Sequence, residues 1–99
     1  MKIHVSDHDL RLIETLLNRY FPGAKFSFFG SRTRGDHRPQ SDLDIAIDLG
    51  QPIPLDQWAL AEEAFSRSSL LYKVDLVDFW RVSPEFRDHI LNNSLGRRH

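Results

Sequence analysis

The stretch Ser41-Asp42-Leu43-Asp44-Ile45-Ala46-Ile47-Asp48-Leu49 decides how this chain folds. Leu43, Ile45, Ile47 and Leu49 alternate with Asp44, Ala46 and Asp48, which is the two-residue period of a strand with one apolar face. Asp42 and Asp44 then share the opposite face, about 7 Å apart along the strand. Like charges at that spacing repel, and each is costly to desolvate unless a cation lies between them. Mg²⁺ takes hard oxygen ligands, commonly one or two carboxylates plus substrate phosphates, so a divalent ion resolves the conflict. The plainer alternative is a solvated sheet face that carries acids.

Working outward, a second strand from Val74 to Trp80 repeats the pattern, with Asp75 set between Val74 and Leu76. Asp78 falls on the opposite face of that strand, near its end. Three acids converging from two strands could hold two metals, one activating a hydroxyl and the other neutralising charge on leaving phosphates. Upstream, Lys25-Phe26-Ser27-Phe28-Phe29 reads as a short aromatic strand that stops at Gly30-Ser31. Glycine there lets backbone approach a phosphate, and exposed N–H groups in such a turn favour anions. Ser31 can add a hydroxyl, while Arg32 and Arg34 are planar forks suited to phosphate oxygens. By itself the dipeptide is equally an ordinary turn with solvated arginines.

Helices fill the remaining segments. Ser6 with Asp9 three residues on is an N-terminal capping signal. Leu10, Ile13, Leu16, Leu17 and Tyr20 follow at helical spacing up to Pro22-Gly23. Gly50 to Pro54 breaks the chain, and Asp56 starts a helix with Trp58, Leu60, Ala61, Ala64 and Phe65 that runs to about Ser69. Ser83-Pro84-Glu85 opens a last helix through Phe86, Ile90 and Leu91. From Asn92 onward the pattern predicts a frayed, solvated basic tail. The order helix, strand, strand, helix, strand, helix predicts an α+β domain, a small mixed β-sheet with helices packed on one face.

With 99 residues, one domain over 1–99 is expected, and its core is thin enough that a partner would contribute to stability. A formal net charge of −1 argues against a general nucleic-acid coat. There is no cysteine, which excludes disulfides, thiolate metal sites and a cysteine nucleophile. The N-terminus lacks the apolar run of a signal peptide, so a cytoplasmic protein without membrane contact is expected. Arg34-Gly35-Asp36 overlaps the phosphate-loop segment and reads as a chance adhesion tripeptide. Trp58 and Phe65 read as core or interface rather than a stacking platform.

Taken together, Gly30-Ser31-Arg32-Thr33-Arg34-Gly35, Ser41-Asp42-Leu43-Asp44 and Val74-Asp75-Leu76-Val77 resemble the signature of the polymerase-β-like nucleotidyltransferases, most of all their minimal bacterial branch. The matching core runs from about Phe26 to Phe79, with flanking helices in the same order. The resemblance implies a two-metal site in which Asp42 and Asp44 hold both Mg²⁺ ions. Asp75 would bind the catalytic ion and help draw the proton from the acceptor. Gly30 and Ser31 would grip the β- and γ-phosphates of ATP, with Arg32 and Arg34 directed to phosphate or partner. Thr33 stands where the minimal branch commonly has alanine, a mild departure.

Members of that branch are commonly encoded beside an all-helical HEPN protein as toxin–antitoxin pairs. The resemblance therefore implies an antitoxin that transfers AMP from ATP to a hydroxyl, a tyrosine's, of a HEPN RNase toxin with which it forms a hetero-oligomer. No direct contact with nucleic acid is expected. The rival reading is a non-catalytic antitoxin that neutralises the toxin by stoichiometric binding; the intact acids and Gly-Ser favour an enzyme. Transfer to a small molecule such as an aminoglycoside is a further alternative, although it normally needs an extra domain to hold the acceptor.

Overall fold

The computed structural model describes residues 5–29, 43–70, 73–93 and, for the backbone alone, 95–98. The first helix, α1 (Asp7–Tyr20), begins where the Ser6 hydroxyl oxygen accepts the Asp9 amide at 3.1 Å, so one of the orphan N–H groups of the first turn is satisfied. It stops before Gly23, whose φ of +82° is a conformation that favours glycine. The chain then enters β1 (Lys25–Phe29), which pairs antiparallel with β2 (Leu43–Asp48). Past β2, the Gly50 amide donates to Asp48 Oδ1 at 2.9 Å, closing a turn that carries the chain into α2 (Leu55–Ser66).

β3 (Val74–Asp78) returns parallel to β2. The last helix, α3 (Pro84–Asn93), is capped by the Ser83 hydroxyl, which accepts the Phe86 amide at 3.2 Å. It leads into β4 (Leu95–Arg98), which pairs antiparallel with β1. The strand order is β3-β2-β1-β4, a mixed sheet. The tail expected to fray from Asn92 instead continues the helix to Asn93 and then forms an edge strand. Ladder hydrogen bonds to β1 supply the order that a short, polar sequence does not advertise.

Strand alternation sorts the side chains into two layers. Phe26, Phe28, Leu43, Ile45 and Ile47 face one way and bury against Ile13, Leu17 and Phe21 of the α1 region and Ala61 and Phe65 of α2. Trp58 packs on Phe21 with ring centroids 5.8 Å apart, and the Gln57 amide donates to the Tyr20 carbonyl at 2.7 Å, so α1 and α2 are tied together. Phe65 is thus a core residue and the partly buried Trp58 packs against that core, in keeping with the expected core or interface role. The other face carries a smaller cluster of Phe29, Ala46, Phe79 and Ile90, with Val77 and Val82 against it. The helical layer expected on one face is formed by α1 and α2, and α3 adds cover to part of the other. This arrangement sets the position of the acids, because Ala46 and Val77 lie two residues beyond Asp44 and Asp75 on that same second face.

Candidate active site

Asp44 and Asp75 are brought together. Each is the second residue of its strand, and the parallel register of β2 and β3 places them directly opposite one another. Neighbouring strands lie about 4.8 Å apart, so the two Cα atoms are that close and the side chains leave the same face. The alignment is fixed at its start by the Leu43 amide, which donates to the Lys73 carbonyl at 2.9 Å. On the other side, Asp44 is the cross-strand partner of Phe29, the last residue of β1. The acids therefore sit at the sheet end where β1 finishes and where Gly30-Ser31 follows in sequence. Asp44 is half-buried and Asp75 exposed.

The sequence placed Asp78 on the far face from Asp75, and there it is. It is a structural acid, buried to 6% exposure. Its Oδ2 accepts the Ile53 amide at 2.8 Å and lies 3.2 Å from Arg81 Nε, while Oδ1 accepts the Trp80 amide at 3.0 Å. Arg81 in turn donates to the Ile53 carbonyl at 2.9 Å. The cluster pins the loop ahead of α2 to the end of β3, where burying an acid is tolerable because both oxygens are partnered.

Gly30, Ser31, Arg32, Arg34 and Asp42 lie outside the described residues. The two placed carboxylates offer hard oxygen donors on adjacent strands, a donor set that suits Mg²⁺. Among the described residues, to which Asp42 does not belong, no group of three or more His, Asp or Glu gathers as a metal cluster. A cavity of about 400 Å³ adjoins Asp75, lined by Phe65, Leu70, Val74 and Leu76 with Glu62 and Lys73. Asp75 thus stands at the border between the carboxylate face and a recess under the open edge of β3.

What sequence reasoning missed is the neighbour of the acids, α3. The spacing of Phe86 and Ile90 marks an apolar helical stripe but does not say which sheet face it covers. In the structure Ile90 is buried against the second face, and Phe86 meets Phe29 edge-on at 6.2 Å.

A small mixed sheet that presents two in-register acids beside the end of an aromatic strand is the framework of a nucleotidyltransferase. Residues 11–95 match the family described as Polymerase beta, Nucleotidyltransferase, and the chain belongs to that family. It is similar to "Probable protein adenylyltransferase MntA" of Haemophilus influenzae, at 34% identity over 89 residues, covering 90% of this chain and 78% of the relative. A solved chain described as a candidate minimal nucleotidyltransferase superposes with a TM-score of 0.68 at 28% identity, covering 94% of this chain and 97% of the other. The family, the α+β nucleotidyltransferase fold and the minimal branch expected from the sequence are thereby borne out. Among the described residues no helix is long and apolar enough to cross a membrane.

Proposed function

We propose that this chain transfers AMP from ATP to a hydroxyl of a partner protein, a tyrosine of a HEPN RNase toxin, and thereby acts as its cytoplasmic antitoxin. The observation that carries the chemistry is the register of Asp44 with Asp75 on one face of the sheet. The name of the Haemophilus relative supports adenylyl transfer to protein.

In this reading Asp42, Asp44 and Asp75 would hold two Mg²⁺ ions, which supply charge neutralisation on the triphosphate and on the attacking oxygen. Asp75 takes the proton of the acceptor hydroxyl, and its exposed position at the strand edge suits an acceptor brought by another molecule. The hydroxyl oxygen forms its bond to the α-phosphorus, the bond to the bridging oxygen breaks, and pyrophosphate leaves. Gly30 and Ser31 grip the β- and γ-phosphates, with Arg32 and Arg34 as further anion partners. The half-buried Asp44 is held by the ladder on both sides, so the site needs little rearrangement before in-line attack.

The test is labelling of the partner with α-labelled ATP and Mg²⁺. Asp44→Ala and Asp75→Ala are each expected to lower the rate at least about 100-fold, the scale of removing one preorganised electrostatic group. Chelation with EDTA should abolish labelling, and Mg²⁺ should restore it. Labelling that survived both substitutions would remove the mechanism. Neutralisation of the toxin in cells by the unlabelling variants would show that binding alone suffices.

A further inference from the structure

Accepting Asp44 and Asp75 as the acids of a nucleotide site, we propose that Phe86 and His89 form the seat of the nucleobase and make the site prefer a purine. The two rings stack on α3 with centroids 5.5 Å apart and planes 26° from parallel. Both are exposed, Phe86 at 38%. The wholly buried Ile90 is what docks the helix onto Phe29 and Ala46, while Phe86 touches Phe29 only edge-on and His89 is exposed. An exposed aromatic pair on a short helix therefore calls for another role.

Its placement indicates which role. Phe86 meets Phe29 edge-on, and Phe29 is both the cross-strand partner of Asp44 and the residue before Gly30. Opposed antiparallel residues have Cα atoms about 5 Å apart, so a single residue, Phe29, separates the Phe86 ring from Asp44. A nucleotide with its phosphates at the carboxylates would thus have its base on the side of these rings. α3 packs on the same sheet face as the acids, so the triphosphate and the base would lie on one surface.

The histidine is set as well as stacked. The Asn93 side-chain amide donates to the His89 carbonyl at 2.8 Å and lies 3.2 Å from Nδ1. These two contacts orient the ring, and in the tautomer whose Nδ1 accepts from Asn93 the ring proton is on Nε2. In that tautomer Nε2–H is a donor available to a ring nitrogen of the base. Stacking tolerates any base, but a purine offers the larger π-face.

The test compares Mg²⁺-dependent binding of ATP, UTP and inorganic tripolyphosphate to the full chain. Wild type should bind ATP more tightly than UTP. His89→Ala and Phe86→Ala should each weaken ATP about 10-fold, within the range for loss of one stacking partner. Tripolyphosphate binding should not change, and Phe86→Trp should restore ATP. His89 is exposed and outside the core, so His89→Ala carries the test even where Phe86→Ala folds poorly. Unchanged ATP affinity in His89→Ala, or an equal loss for ATP and tripolyphosphate, overturns the base seat alone. A weaker KM for the acceptor protein with ATP binding intact would do the same. Wild-type protein that binds neither ATP nor tripolyphosphate overturns the nucleotide-site reading and this inference with it.

Discussion

Four aspartates lie within β2 and β3, and the surroundings of Asp75 and Asp78, which look alike in sequence, give those two different tasks. Asp78 is enclosed, and both its oxygens accept main-chain N–H groups beside Arg81. Asp78→Ala would strand the buried Ile53 amide and remove a partner of Arg81, so it is expected to cost about 3 kcal/mol in denaturant unfolding. Asp78→Asn, which keeps a carbonyl oxygen, should recover part of that. Asp75 is exposed, and Asp75→Ala should leave stability within about 0.5 kcal/mol while labelling is lost. A large stability loss in Asp75→Ala would mean that the acid holds the fold rather than the chemistry. Nothing in the local pattern separates Asp75 from Asp78 except phase: three residues apart on a strand means opposite faces. That phase was legible in the sequence, but the partners that make one acid structural come from Ile53 and Arg81, and their approach is a tertiary event.

At the level of elements, the strands were the most legible parts. β1 runs over the predicted Lys25–Phe29, and the alternation of Leu43 to Leu49 yields β2 with its apolar residues on the α1–α2 side. β3 is shorter than the predicted Val74–Trp80 because the chain turns after Asp78, with the Trp80 and Arg81 amides bonded back to it. α2 ends at Ser66 rather than about Ser69, where the Ser68 amide donates to the Phe65 carbonyl in a tightened last turn. The element whose role was least visible is α3. It is held by one wholly buried side chain, so Ile90→Ala is expected to destabilise the protein by about 3 kcal/mol. Amide exchange should show α3 loosening ahead of β2, which is paired with a strand on each side. If Ile90→Ala left α3 as protected as in wild type, the small second cluster would not be what anchors it.

For the molecule as a whole, the sheet divides two unequal apolar clusters within a radius of gyration of 12.7 Å. The larger cluster provides most of the burial, while the smaller one covers part of the carboxylate face and leaves Asp75 exposed. Binding that occurs only to the folded chain adds to its stability by mass action. MgATP at about 100 times its Kd should contribute about 2.7 kcal/mol, a rise in Tm on the order of 10 °C for a domain of this size. Asp44→Asn should lose most of that rise. An equal rise in wild type and variant would place the nucleotide somewhere other than these acids.

The sequence by itself determined the alternating strands, the first helix with its Ser6 cap, the family signature and the spacing of the acids. Each follows from periodicity or a short motif, which depends only on near neighbours in the chain. Only the tertiary structure decided that Asp44 and Asp75 stand in register, that α3 takes the carboxylate face, and that residues 95–98 add a strand beside β1. These depend on pairings between segments far apart in sequence. An apolar stripe specifies that a surface must be buried, but the surface that buries it is chosen by the packing of the whole chain.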